Sequence, residues 1–162
     1  MIDFEGRTPL ERDVKRRVVG IYRRLGVEVD NLDQGFRPGG GRHGTTRQSK
    51  GISDLICWHP RIGVWFHEVK RDGGVLSWEQ QQWQARCERC RQRYVLGGPH
   101  EALAFLMEHG LYRLPAGTTL VMVASPTRVT RETEAQHLTR IQRRRRGCRP
   151  TAVQTSGIGG IG

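Results

Sequence analysis

Residues 51–83 read GISDLICWHPRIGVWFHEVKRDGGVLSWEQQQW and decide the fold of the chain. An apolar run that contains Asp54 is followed by a Pro-Arg-Ile-Gly turn and then by a second run that contains Glu68 and Lys70. Two such runs separated by a short turn are typical of a β-hairpin. We therefore expect one acidic residue on each of two adjacent strands.

The positions of the polar residues within these strands indicate a shared site. Because side chains alternate between the faces of a strand, Glu68 and Lys70 should lie on one face together with Phe66. Asp54 lies in an otherwise apolar strand, where an unpaired carboxylate is costly to bury. We therefore expect a positive group to contact Asp54.

Two carboxylates that converge from neighbouring strands, with a backbone carbonyl between them, predict a site for a hard divalent cation. Oxygen donors of this kind are suited to Mg²⁺ or Mn²⁺. Such a metal lowers the pKa of bound water and stabilises charge that develops on a phosphate. A simple ion pair on a solvated sheet face is the alternative, since a bare Glu-x-Lys pattern is common.

The lysine at position 70 favours a catalytic role. Only three of the 27 cationic residues are lysine, namely Lys15, Lys50 and Lys70, and the others are arginine. The pKa of a lysine shifts readily on burial, whereas arginine stays charged. A lysine beside two acids could orient or deprotonate an attacking water, or hold a phosphate.

Three sequence blocks, residues 51–55, 68–70 and 76–83, together resemble the virus-type replication-repair nuclease (VRR-NUC) branch of the PD-(D/E)xK nucleases. The resemblance extends from about residue 11 to about residue 110. Ser53 stands where the superfamily motif has proline, at a position that enters the strand and does not bind metal. The combined spacing is specific, although each block alone is a weak signal.

The resemblance implies the roles of the site residues. It implies a catalytic set of Glu11, Asp54, Glu68, Lys70 and Gln80. It also implies that Mg²⁺ or Mn²⁺ is held by Asp54, Glu68 and the carbonyl of Val69, with Glu11 approaching from the first helix.

Two of these residues also have a local structural interpretation. Thr8 and Glu11 are spaced as a helix-capping box, and so are Ser77 and Gln80. Pro9 falls at the first helical position of the first box, as expected for a helix start. Capping alone could therefore explain Glu11 and Gln80.

The composition is strongly basic. The 162 residues have a net charge of +11, a sequence pI of about 10.7 and a mean hydropathy of −0.60. A balance of this kind predicts a polyanionic partner, either nucleic acid or an anionic membrane surface. No run of about 18 apolar residues and no secretion signal is evident, so we expect an intracellular protein that does not enter a membrane. The four cysteines are not expected to form disulfides in such a chain.

Cationic residues predicted to contact DNA fall in three places: a glycine-rich loop at residues 34–50, the turn after Lys70 and an arginine run near the C-terminus. They are Arg37, Arg42, Arg47, Lys50, Arg71, Arg143, Arg144, Arg145 and Arg146. Lysine and arginine neutralise backbone phosphates without reading the base sequence. An ordinary loop or linker is the alternative interpretation of residues 34–50.

Hydrophobic periodicity predicts an α/β fold with a mixed sheet flanked by helices, and the resemblance implies its restriction-endonuclease-like form. Helices are expected at residues 9–25, 77–91 and 99–110, and strands at 27–32, 52–58, 64–70 and 94–96. Residues 1–112 would form the nuclease-like domain. Residues 113–146 would form a basic extension with a strand at 118–124 and a helix at 130–146, and residues 147–162 a disordered tail.

These observations predict a divalent-metal-dependent, structure-selective DNA endonuclease, and the resemblance implies a role in phage or viral replication and repair. The resemblance suggests cleavage of Holliday junctions by a homodimer, because two related cuts need two active sites. A flap or linear-duplex nuclease would use the same active site. A noncatalytic basic DNA-binding protein would explain the charge but not the converging acids, and a basic RNA-binding protein would prefer RNA and need no metal.

Overall fold

The structure is a computed structural model that describes residues 9–32 and 51–147, with the side chains of residues 145–147 excepted. Its helices are α1 Glu11–Arg24, α2 Trp78–Arg89, α3 Pro99–Glu108, α4 Leu120–Val123 and α5 Glu134–Gly147. Its strands are β1 Glu28–Asn31, β2 Leu55–His59, β3 Gly63–Val69, β4 Gly74–Leu76, β5 Arg93–Gly97 and β6 Val129–Arg131.

The central sheet has four strands in the order β1-β2-β3-β5. Strand β2 is antiparallel to β1 and β3, and β3 is parallel to β5. The predicted hairpin is the β2–β3 pair, in which Leu55 lies opposite His67 and Trp58 lies opposite Val64. The prediction of an α/β fold with a mixed sheet and flanking helices is therefore confirmed. The two strands nearest the predicted acids are the middle strands of the sheet.

Helix α1 covers one face of this sheet. Its buried residues Val14, Val18 and Tyr22 recur every four positions, which gives one apolar stripe along the helix. The ring of Tyr22 meets the ring of Trp65 edge-on, with centroids 5.6 Å apart. Helix α2 contacts side chains on the other face of β3. Its Trp83 packs edge-on against Phe66, which follows Trp65 and therefore lies on the opposite face of the strand. The two helices thus contact side chains that alternate along β3.

A buried chain of hydrogen bonds links α1 to the end of β3. The hydroxyl of Tyr22 donates to Nδ1 of His67 over 2.7 Å and accepts from Nε1 of Trp65 over 3.4 Å. Nε2 of His67 donates to the carbonyl of Gly97 over 3.1 Å. Burial lowers the pKa of His67 to about 4, so the ring is neutral at physiological pH and has one donor and one acceptor. The same Gly97 carbonyl accepts from the backbone N–H of Lys70, which ties this chain to the predicted site.

Replacing Tyr22 by phenylalanine should lower the free energy of unfolding by about 2–3 kcal/mol, because it leaves a buried acceptor on His67 and a buried donor on Trp65 without partners. Urea titration of both proteins measures this difference. Tyr112→Phe is the matched control: that residue is only partly buried, and its hydroxyl makes no hydrogen bond within the described ranges. A change below about 0.5 kcal/mol is expected there. Equal losses of unfolding free energy in Tyr22→Phe and Tyr112→Phe would show that the hydrogen bonds of Tyr22 to His67 and Trp65 do not stabilise the fold.

A second, two-stranded sheet pairs β4 with β6 in parallel, and it was not predicted from the sequence. The strand predicted at residues 118–124 is wrong, because residues 120–123 form the short helix α4. The predicted basic helix begins too early: residues 129–131 are β6, and α5 begins at Glu134.

The chain divides into two compact units, one ending at Glu132 and the other beginning at Thr133. Residues 113–132, which were expected to form part of the basic extension, therefore belong to the first unit. The predicted disordered tail beyond residue 147 lies outside the described residues. No helix within residues 9–32 and 51–147 has the length and apolar character needed to cross a membrane.

Candidate active site

Glu68 is the centre of the candidate site. It is fully buried near the end of β3, and its Oε1 lies 2.6 Å from Nζ of Lys70, which is itself only 4% exposed. Nε2 of Gln80, on the first turn of α2, donates to the same oxygen. No hydrogen-bond donor to Oε2 of Glu68 is found among the described residues. One oxygen is thus held by two donors, and the other is available to a ligand.

Asp54 approaches from the neighbouring strand. It lies in the bend just before β2, and not within the strand as expected. Its Oδ2 accepts the backbone N–H of Val69 over 2.9 Å, and its Oδ1 lies 3.4 Å from Nζ of Lys15. The predicted positive partner of Asp54 is therefore Lys15. The bond to Val69 brings this carboxylate to the peptide that directly follows Glu68.

Glu11 is the first residue of α1 and is about half exposed. Its Oε1 lies 3.9 Å from Nζ of Lys70. The alternative interpretation of Glu11 as part of a capping box is wrong, because Leu10 is the N-cap and Glu11 is therefore at the first helical position. At the first helical position Glu11 lies near Lys70 and is not part of a capping box.

Gln80 forms the predicted helix cap and also contacts Glu68. The hydroxyl of Ser77 accepts from the backbone N–H of Gln80, and Oε1 of Gln80 accepts from the backbone N–H of Ser77, so the predicted capping box is confirmed. Since the cap uses Oε1, the amide nitrogen of Gln80 is directed to Glu68. Capping thus fixes the orientation of the side chain that contacts the site.

Gly51 sets the distance between this helix start and the segment that leads to Asp54. It has φ +83°, a conformation that residues with a side chain rarely adopt. A Cβ atom at this position would lie 2.7 Å from the backbone nitrogen of Gln80 and closer still to the carbonyl group of Glu79. The sequence therefore needs glycine where the chain passes the first turn of α2.

Negative charge surrounds Glu68 in the candidate site. Burial, together with the nearby charge of Asp54, raises the pKa of Glu68 to about 7, although Lys70 acts in the opposite direction. Burial also raises the pKa of Tyr94, and the negative charge of Glu68 adds to this shift. A bound cation would offset the cost of ionising Glu68 in this buried position.

The residues present fit a hard divalent cation. Asp54, Glu68 and Glu11 provide carboxylate oxygens, and Asp54 accepts from the N–H of Val69, the residue whose carbonyl the resemblance adds to the ligand set. Three carboxylates accompanied by two lysines leave an excess of negative charge when all five groups are ionised. Oxygen donors with this charge are the set that Mg²⁺ and Mn²⁺ prefer.

The role of Lys15 was not predicted from the sequence. The signal was present, because Lys15 is one of only three lysines and follows Glu11 by four residues, so both lie on the same face of α1. The structure brings that face to the acids, since Glu11 lies near Lys70 and Lys15 lies near Asp54.

Five of the nine residues predicted to contact DNA lie within the part of the chain that the structure describes. Arg71 is exposed and directly follows Lys70 at the site. Arg143 and Arg144 are exposed on α5, and Arg145 and Arg146 belong to its last turn. The remaining four, Arg37, Arg42, Arg47 and Lys50, lie outside the described residues.

Comparisons of the chain with protein-family models, with curated proteins and with solved structures find no match. The resemblance to VRR-NUC nucleases therefore stays a prediction that depends on the three sequence blocks.

Proposed function

We propose that this protein is a divalent-metal-dependent endonuclease that hydrolyses phosphodiester bonds in branched DNA, such as Holliday junctions. The observation that supports this proposal is the convergence of Asp54, Glu68 and Lys70 at one point, where a buried carboxylate oxygen has no donor among the described residues. A purely structural ion pair would not need a second carboxylate at the same place.

In this proposal Asp54, Glu68 and the carbonyl of Val69 hold Mg²⁺ or Mn²⁺, and Glu11 approaches from α1. When bound, the metal supplies Lewis-acid stabilisation of the charge that develops on the attacked phosphate. The remaining steps belong to the side chains around it. The amine of Lys70, 2.6 Å from Glu68, orients a water or accepts its proton.

Gln80 has a positioning role in the proposed reaction. Its amide nitrogen donates to Glu68, and its amide oxygen is held by the helix cap. This double attachment keeps the Glu68 carboxylate in one orientation. A fixed carboxylate presents its second oxygen in a constant direction, which is the requirement for a preorganised site.

DNA is the proposed partner because the chain has a net charge of +11 and Arg71 is exposed beside the site. The four cations of residues 34–50 and the arginine run 143–146 of α5 would add phosphate contacts that do not depend on base sequence. A homodimer is proposed because a junction needs two cuts. Action on DNA also places the protein inside a cell.

Cleavage of labelled DNA by the wild-type protein and by Glu68→Ala tests this function. Four-way junctions, flaps, single strands and linear duplex are each incubated with Mg²⁺, Mn²⁺ or chelator. The wild type should cut junctions only with metal. The variant should lose more than about 100-fold in rate, because even changes outside the metal ligands commonly cost 10- to 100-fold.

Glu28→Ala is the matched control, since this glutamate is exposed on β1. It should cut like the wild type, and all three proteins should bind junction DNA equally in chelator. Preferred cleavage of flaps or linear duplex would change the assigned substrate but keep the active site. If the wild type cuts nothing and still binds DNA, the nuclease proposal fails in favour of a noncatalytic DNA-binding protein.

A further inference from the structure

Helix α4 presents three consecutive apolar side chains to solvent. Val121 is 61% exposed, Met122 is 72% exposed and Val123 is 42% exposed. Single exposed apolar residues are common, but a contiguous group on the surface of a strongly basic protein indicates a contact site. The hairpin and its acids do not explain this group.

The exposed group borders a cleft that also reaches Lys70 of the candidate active site. The cleft has a volume of about 700 Å³, and Lys70 and Arg71 line it together with Val121 and Met122. Arg17 of α1 also contributes to its lining. A ligand held in this cleft would therefore extend from the catalytic lysine to the apolar residues of α4.

The charge of the cleft favours a polyanion. Four cations line it: Arg17, Lys70, Arg71 and Arg128. Asp72 is the one carboxylate among the described lining residues, and Arg128 binds it through two nitrogens at 3.1 and 2.7 Å. A second copy of this basic chain would bring like charge to the cleft, whereas a nucleic-acid strand brings the complementary phosphates and also bases that fit apolar side chains.

The segment that follows α4 is attached firmly to the body of the first unit. The backbone N–H and the hydroxyl of Thr127 both donate to the carboxylate of Glu101, over 2.8 and 2.7 Å. The carbonyl of Arg128 accepts from the backbone N–H of Gly73, and strand β6 then pairs with β4. These bonds fix one end of the segment that contains Val121 and Met122. Apolar side chains that insert between bases need such support, because a mobile segment would be displaced on contact with the bases.

We propose that Val121 and Met122 form an apolar wedge that contacts unstacked bases of a DNA strand leading into the active site, while Arg17, Arg71 and Arg128 contact its phosphates. The inference rests on the proposed nuclease function and adds the means of substrate selection. Inserting apolar side chains at a base step requires unstacking, which costs a few kcal/mol in an intact duplex. The cost is smallest where bases are already unpaired. The wedge therefore favours branched DNA over linear duplex.

The test compares the wild type with Val121→Ala/Met122→Ala in the full chain. Binding is measured in chelator by fluorescence anisotropy on a four-way junction and on linear duplex of the same sequence. A 2-aminopurine at the branch point reports base stacking. The double variant should lose about tenfold of its preference for the junction, and the change of 2-aminopurine fluorescence on binding should disappear.

Val75→Ala is the matched control, because Val75 is 57% exposed on β4 and does not line the cleft. It should keep the junction preference and the fluorescence change of the wild type. Thermal unfolding of each variant checks that the fold is retained.

An unchanged junction preference in the double variant would overturn the wedge. So would a loss of self-association, measured by sedimentation, without any change in DNA binding, since α4 would then be a protein interface. Because binding is measured without metal, the result is independent of cleavage. Failure of the wild type to cut any DNA would refute the nuclease function, and the binding comparison would still decide whether Val121 and Met122 contact unstacked bases.

Discussion

Replacing Lys70 by methionine is expected to lower the rate of metal-dependent cleavage by about 10³-fold, the size commonly seen when a general acid or base is removed. Lys70 is nearly fully buried, and its amine lies between the carboxylates of Glu68 and Glu11, at 2.6 and 3.9 Å. Methionine keeps the length and apolar character of the side chain but removes the amine. The loss should appear in kcat, measured with saturating junction DNA, and not in KM.

Lys70→Arg separates two roles for the amine. Arginine keeps the positive charge but does not give up a proton under physiological conditions. A role in proton transfer therefore predicts that arginine fails almost as completely as methionine. If arginine restores most of kcat, the positive charge alone is required, and the lysine holds the phosphate or the carboxylates.

Arg71→Met is the matched control for the methionine variant, because Arg71 is the next residue in the chain and is exposed. This change should raise KM severalfold and reduce the dependence of binding on salt, with kcat unchanged. Binding of Mn²⁺ to each variant, followed by calorimetry, shows whether the metal site survives. Full activity in Lys70→Met would remove Lys70 from the proposed mechanism.

Local patterns were sufficient to predict the part of the fold that contains the site. The apolar stripe of α1, the turn between β2 and β3 and the alternation along β3 are each set by neighbouring residues, so they are readable in sequence. The pairing of β4 with β6 joins residues 74–76 to residues 129–131. Neither segment has a local signal for that partner, and the second sheet could not be predicted.

The error at residues 118–124 has a related cause. Leu120, Val121, Met122 and Val123 form an apolar and partly β-branched run, which favours a strand when considered alone. A strand also needs a neighbouring strand with unpaired backbone N–H and C=O groups. In the structure β4 pairs with β6 and not with this apolar run. Without a partner strand, the run forms one short helix with its own backbone bonds.

The candidate site was predictable as far as its motifs extend. Asp54, Glu68 and Lys70 followed from the strand pattern and Gln80 from the resemblance, and the structure brings them together. Lys15 depends on how far α1 reaches over the end of the hairpin, which is a matter of helix packing and not of local pattern.

Replacing Gly51 by alanine should lower the free energy of unfolding by about 3 kcal/mol. Part of this is strain, because a residue with a side chain costs about 1–2 kcal/mol in the left-handed region. The rest is overlap with the first turn of α2, since overpacking commonly costs 1–3 kcal/mol. Two other glycines separate these contributions. Urea titration of all the variants measures the differences.

Gly63 has φ +85° but open space where a Cβ atom would lie, so Gly63→Ala should cost only the strain, about 1 kcal/mol. Gly20 lies in α1 with neither strain nor a neighbour within 4 Å, so Gly20→Ala should stabilise the protein by about 0.5–1 kcal/mol. Equal losses at Gly51 and Gly63 would contradict the close approach of α2 to residue 51.

The same substitution also tests whether the turn and the site act as one unit. A Cβ at Gly51 must displace the first turn of α2, and that turn includes the backbone of Gln80. The amide of Gln80 would then move away from Glu68, which would lose one of its two donors. Gly51→Ala should therefore reduce cleavage at temperatures where it is still fully folded, whereas Gly63→Ala should not. A folded Gly51→Ala protein with full activity would show that Gln80 does not position Glu68.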